Sequence, residues 1–238
     1  MLDEIKKIAR IIYNSLSDLL FPPRCPVCGS YIEEHTKILC PECKRNILVI
    51  GSYVDPPEPL KEVWRITKYD YGTRNIILNL KFEIQLKQLE ILHKILNWAI
   101  KSDSGLTKFL SKIDIATPVP LHAARERERG FNQVELIFAD WIQGQNIPMK
   151  RLLIRNKATA HLYDLNLDER RNVIKGVFAL SAGADEIISG KRILILDDIF
   201  TTGTTMSECA RVLKENGAAE IYGLALASNF GEINSQNK

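Results

Sequence analysis

Apolar and polar positions alternate along this chain with two different periods. Leu2, Ile5, Ile8, Ile12, Leu16 and Leu19 recur at helical spacing, which predicts an amphipathic helix over 1–20. Phe21-Pro22-Pro23 ends it, because proline lacks the amide donor and its ring clashes with the preceding turn. Val63 to Tyr71 is rich in aromatic and β-branched residues and reads as a strand. Helical patterns follow over 73–82 and 86–101. Ile113 to Val119 is a short apolar strand, and a helix of about 20 residues then leads to Gly144. Lys150–Arg155 and Lys175–Leu180 read as short strands around a polar, aperiodic loop at 156–171. Arg192 to Leu196 is the unbroken apolar run of a strand buried on both faces. Thr204 to Asn216 is helical and stops at Gly217, Glu220–Ala227 is a last strand, and 231–238 reads as a loose tail.

Strands alternating with helices from 113 onward predict an α/β fold, a parallel sheet flanked by helices. Residues 51–60 carry three prolines and one glycine, which suggests a linker over 51–62. The expected division is a helix at 1–20, a cysteine module at 21–50, that linker, and a main domain at 63–230.

The 238 residues are 45% hydrophobic and 26% charged, a globular balance that excludes a disordered or fibrous chain. A net charge of +3 does not by itself argue for nucleic acid. No apolar run approaches the roughly 20 residues that cross a bilayer, and the charged opening lacks a cleavage site. These features predict a cytoplasmic protein. The first helix packs on the rest of the protein or, in the other reading, lies on a membrane surface as a peripheral contact.

Four of the five cysteines form two C-x-x-C knuckles, Cys25/Cys28 and Cys40/Cys43, separated by eleven residues. Four thiolates close a tetrahedral Zn²⁺ site with no open position, so the metal is structural. A redox dithiol is the alternative, and His35 is a spare ligand that four thiolates make unnecessary. Arg24, Lys37, Lys44 and Arg45, offset by Glu33, Glu34 and Glu42, with Tyr31 as the one aromatic, leave a nucleic-acid or protein contact open.

Residues 193–205 read ILILDDIFTTGTT. A buried strand delivers two acids, then a Thr/Gly loop, then a helix. Gly203 takes backbone angles that let amides point inward, and Thr201, Thr202, Thr204 and Thr205 add hydroxyl donors. The helix start supplies free amides and a positive dipole end, so the loop suits a phosphate dianion. Asp197 and Asp198 would repel that phosphate but accept from neighbouring hydroxyls. A ribose 5-phosphate satisfies both halves. A Walker loop differs, since it needs Gly-Lys-Ser/Thr and no acids before it.

Residues 118–133 read PVPLHAARERERGFNQ. Arg125 and Arg129 lie one helical turn apart and could grip a diphosphate together. The alternative is a solvated charge run in which Arg125, Arg127 and Arg129 pair with Glu126 and Glu128.

The segment 193–205 resembles the phosphoribosyl pyrophosphate (PRPP) signature of type I phosphoribosyltransferases. Together with PVPLH, RERERGFNQ, RNKATAHLYDLNLDERRNVIKGVF at 155–178 and the cysteine module, it resembles the ComF/ComFC competence family over nearly the whole chain. The resemblance implies that Asp197 and Asp198 hold the ribose hydroxyls as the catalytic pair, and that Thr201, Thr202, Gly203, Thr204 and Thr205 hold the 5′-phosphate. It implies a pyrophosphate loop with Leu121, His122, Arg125 and Arg129, and a flexible flap at 156–171. Arg155, Thr159, His161, Arg170 and Arg171 are the candidates on or beside that flap, although His161 stands where the family has glutamine. Mg²⁺ is implied with PRPP, bound mainly through substrate oxygens and water.

His122 and His161 read as loop hydrogen-bonders or as general bases, His93 as packing or surface, and Cys209 as buried packing. Two functions follow. One is transfer of the phosphoribosyl group to an unidentified nitrogen acceptor. The other is a non-catalytic competence factor that binds single-stranded DNA in natural transformation, alongside other competence proteins.

Overall fold

The computed structural model describes residues 22, 24–32, 39–82, 86–157, 173–229 and 233–234. The helix expected over 1–20, His35, and the flap positions Thr159, His161, Arg170 and Arg171 lie outside them. The chain divides into two compact units, Met1–Ile47 and Leu48–Lys238.

The first unit is built on its cysteines. After Cys25 the chain turns back at Gly29, whose φ is +75°, and the Cys25 amide bonds Ser30 O at 2.7 Å. Arg24 and Tyr31 form an antiparallel bridge across this turn. Cys40 caps helix α1 (Pro41–Asn46), its Sγ accepting from the Cys43 amide at 3.4 Å.

The second unit carries a six-stranded sheet of β1 (Leu48–Tyr53), β2 (Glu62–Lys68), β3 (Ile115–Pro118), β6 (Arg192–Phe200), β7 (Glu220–Ser228) and β8 (Ile233–Asn234). Their order across the sheet is β3-β6-β7-β2-β1-β8. β3, β6, β7 and β2 are mutually parallel, as expected, whereas β1 and β8 are antiparallel additions at one edge. A separate two-stranded antiparallel sheet pairs β4 (Leu153–Arg155) with β5 (Phe178–Leu180).

Ile193, Leu194, Ile195 and Leu196 of β6 are each 0% exposed, which fits the run with no polar alternation. Helix α8 (Thr204–Glu215) covers one sheet face with Met206, Cys209, Ala210, Val212 and Leu213. Ile193, Ile195 and Ile221 share that core. Between β2 and β3 run α2 (Tyr71–Phe82), α3 (Leu86–Ser102) and α4 (Ser104–Leu110); α7 (Ala184–Ile188) precedes β6.

Four expectations need correction. Residues 51–53, read as linker, belong to β1, and Tyr53 and Leu60 are buried; the prolines break the chain only after the strand. The single long helix before Gly144 is two, α5 (Ala123–Arg129) and α6 (Gln133–Gln143). Gly130 ends the first at φ +80°, and Asn132 starts the second by accepting from the Val134 amide at 2.9 Å. The strand read to Tyr71 ends at Lys68, because Asp70 accepts from the Thr73 amide and opens α2. Within the tail read as loose, Ile233 and Asn234 pair with β1.

Asp114 fastens the start of β3 to that of β6, accepting from the Arg192 amide at 2.8 Å and its guanidinium at 2.7 Å. Those bonds hold the Asp114 carboxyl down at about 2. A depressed carboxylate stabilises the fold above its unfolded value, about 3.9, and the contribution disappears as pH falls through about 2. An Asp114→Asn variant is therefore expected to melt below the wild type at pH 6 and to converge with it in strong acid, as thermal scans across pH will show.

Candidate functional site

β6 carries the two acids within the strand, paired through Phe200. Side chains alternate along a strand, so Asp197 and Asp198 leave β6 on opposite faces. Asp197 shares the face of Ile193 and Ile195 beneath α8. Asp198 shares the other face with Leu194 and Leu196, and there Gln133 Nε2 of α6 donates to its Oδ2 at 3.4 Å. Asp198 is 6% exposed and Asp197 half-buried. The Asp198 amide also donates to Asp197 Oδ1 at 2.9 Å.

Beyond Phe200 the chain bends through Thr201–Gly203 into α8. Gly203 stands at the N-cap with φ +75°, so no side chain caps the first amides of α8. Thr201, Thr202, Gly203, Thr204 and Thr205 line one small depression with Asp197, Ile199, Phe200 and Met206. Thr202 and Thr204 share a hydrogen bond of 2.9 Å. A Cβ on Gly203 would lie 2.7 Å from Pro57 Cγ and 2.8 Å from Phe200 Cζ. Gly203→Ala combines that clash with a left-handed φ and is expected to cost about 1–3 kcal/mol. It should lower Tm by several degrees in a thermal melt and weaken binding of any phosphate in the loop.

The register of β3 against β6 brings the second loop alongside. Pro118 lies opposite Leu196, and the Val119 amide donates to Leu196 O at 2.9 Å. Residues 119–121 therefore run beside the acids. Asn132 Nδ2 secures the loop from the other side, donating to Val119 O at 3.0 Å. His122 caps α5, its Nδ1 accepting from the Ala124 amide at 3.3 Å. The neutral ring then carries its proton on Nε2, which suits a hydrogen-bonding residue better than a base at Nδ1.

Arg155, at the end of β4, forms a bridge with His122 and stacks its guanidinium 5.5 Å from the Phe178 ring centre. Burial, then the neighbouring Arg125 charge, lower the pKa of this guanidinium, while Cys209 and Asp197 oppose the shift. Two cations held close together at the edge of an acid-bearing strand suit a polyanion. The charge run is not self-paired throughout. Glu126 bonds Arg151 at 2.8 Å, and Glu135 binds the same guanidinium, while Arg129 Nη1 donates to Gln133 Oε1 at 3.2 Å.

Asp197, Asp198, the Thr/Gly loop, Leu121, His122, Arg125, Arg129 and Arg155 thus come from distant stretches into one region at the carboxyl ends of β3 and β6. Sequence reasoning missed Asn132 and Gln133. The readable signal was an amide pair directly after Gly130-Phe131, a helix stop followed by a helix start. His93 bonds Leu136 O at 3.1 Å, and Cys209 is fully buried, both in packing roles.

In the first unit, the sulfurs of Cys25, Cys28, Cys40 and Cys43 all lie within 4.8 Å of one another, and Cys28 and Cys40 are 3.6 Å apart. Tetrahedral Zn–S bonds of about 2.3 Å require sulfurs about 3.8 Å apart, so the cluster fits zinc. The Ser30 hydroxyl and amide pull the Cys28 thiol down to about 6, towards the thiolate that binds metal. Burial and the crowding sulfurs push Cys43 up, a conflict that a dication resolves. Among the described residues this is the one group of three or more His, Cys, Asp or Glu able to hold an ion. No helix among the described residues is long and apolar enough to cross a membrane.

Comparison with known proteins agrees with both parts. A double zinc ribbon domain matches residues 16–54, and a phosphoribosyl transferase domain matches residues 150–229. The chain is 28% identical to competence protein F of Haemophilus influenzae over 86% of its own length and 85% of the relative's. It is 29% identical to DNA utilization protein YhgH of Escherichia coli K12, covering 83% and 86%. It is 27% identical to competence protein ComFC of Bacillus subtilis, covering 89% and 84%.

Proposed function

We propose that this chain, a homologue of the ComF/ComFC competence proteins that carries a zinc ribbon and a phosphoribosyltransferase-type domain, binds PRPP and transfers its phosphoribosyl group to a nitrogen acceptor. One observation carries this reading: the acid Asp197 near the end of β6 and the uncapped Thr/Gly start of α8 line a single depression. The loop at 201–205 receives the 5′-phosphate, and Asp197 and Asp198 accept from the ribose hydroxyls. Residues 121–122, Arg125, Arg129 and Arg155 face the pyrophosphate. The resemblance assigns Thr159, His161, Arg170 and Arg171 to a flap over the pyrophosphate.

In the reaction, the acceptor nitrogen attacks C1 of the ribose. The C1–O bond breaks, its electron pair leaves with pyrophosphate, and the nitrogen gives up a proton. The acids stabilise the electron-poor sugar and the arginines the departing charge. Mg²⁺, when bound, offsets negative charge on the pyrophosphate. It would be held mainly through substrate oxygens and water.

Calorimetric titration of PRPP with Mg²⁺ tests the reading, with ribose 5-phosphate and pyrophosphate as partial ligands. PRPP is expected to bind more tightly than either fragment; failure of all three to bind would overturn the proposal. Release of pyrophosphate with candidate acceptors then tests for turnover.

A second reading draws on the relatives' names, competence protein and DNA utilization protein. In it the exposed Arg127 and the neighbouring arginines of α5 contact single-stranded DNA without turnover. Such contacts release counterions, so affinity should fall about 0.7 log units per phosphate contact for each tenfold rise in salt. Salt-insensitive binding in a fluorescence titration would sink it. Both readings are compatible with a cytoplasmic protein.

A further inference from the structure

Gln133 lies between the two halves of the site. It is the first residue of α6 and only 5% exposed. Its Oε1 accepts from Arg129 Nη1 at 3.2 Å, and its Nε2 donates to Asp198 Oδ2 at 3.4 Å. These partners fix the amide in one orientation, because a guanidinium cannot accept and a carboxylate cannot donate. Asn132, beside it, ties α6 to Val119, so the helix start is anchored to the strand end it serves.

We propose that Gln133 is a positioning residue that holds the Asp198 carboxylate in place for the ribose. The assignment rests on the phosphoribosyl reading above. The amide of Gln133 bonds to both side chains, and its donation to Asp198 restricts how that carboxylate can turn. The carboxamide also suits burial, since both its polar atoms are satisfied without a charge of its own.

The test uses the full chain. Q133E places a carboxylate against Asp198 and binds Arg129 more strongly. Without any ligand, Q133E is expected to melt several degrees below the wild type. D198N added to it should restore most of the loss, because the new amide on β6 can donate to the new carboxylate on α6. In calorimetry, Q133M, which keeps the volume and loses both bonds, is expected to bind PRPP about tenfold more weakly. The proposal is overturned if Q133E and Q133E/D198N melt together, or if Q133M binds PRPP within twofold of the wild type. Q133M replaces Q133E in the melting cycle should Q133E not fold, and D198N should then bring no recovery. The ligand-free cycle separates the two ideas: wild type that binds no PRPP defeats the phosphoribosyl reading, while the cycle still decides the Gln133–Asp198 contact.

Discussion

Asn at both Asp197 and Asp198 is expected to abolish measurable PRPP binding while the chain stays folded. Asparagine keeps the volume of each side chain, so the sheet around β6 remains packed. The carboxylates are lost as charged acceptors, and hydrogen bonds to charged groups contribute about 1.5–3 kcal/mol each. Together the two changes weaken binding by about 10²- to 10⁴-fold. The two acids should also differ when changed singly, because they leave β6 on opposite faces. Asp197 stands in the field of Arg155, whereas Asp198 is hydrogen-bonded to Gln133. Calorimetry on three variants, with melting curves as the folding control, measures both points. Unchanged affinity in the double variant would mean that the strand end does not hold the sugar.

Removal of zinc is expected to produce the second large effect. Structural Zn²⁺ contributes about 10–16 kcal/mol in small ribbons, and among the described residues of the first unit only Ile32, Leu39 and Ile47 are buried besides the cysteines. Cys25 and Cys40 are buried at its centre, while α1 buries no residue of its own. After chelation, or in a Cys40→Ser variant, the amides of residues 24–32 and 39–47 should exchange rapidly with solvent. The sheet should keep slow exchange, because the core of Ile193, Ile195, Leu213 and Ile221 lies wholly within the second unit. Metal analysis should give one zinc per chain in the wild type. Protected ribbon amides after complete metal loss would contradict a structural role.

How far the site was legible depends on how local its signals are. The 193–205 segment could be read because strand, acids, loop and helix start are consecutive, each with its own chemistry. The cysteine knuckles were legible for the same reason. β1 was hidden because it is short, and prolines nearby gave a stronger signal than its own pattern. At 123–143 the first helix, AARERER, buries no residue and has no apolar period to set its end, so only Gly130 and Asn132 mark the break. Gln133 could not be assigned from the sequence. Its role depends on α6 packing across β6, 65 residues away in the chain. The pairing of Glu126 with Arg151 likewise comes from tertiary structure, and it shows that part of the charge run serves to brace α5 against the residues just before β4.

Ile233 and Asn234 add a short last strand alongside Ser52 and Tyr53. That strand occupies backbone groups which would otherwise line an open sheet margin, a template for another polypeptide. Trimming the chain after Ser228 would unmask that margin, next to Val54, which is 55% exposed. The shortened protein would then be prone to self-association through β1, the margin that Ile233 and Asn234 cover.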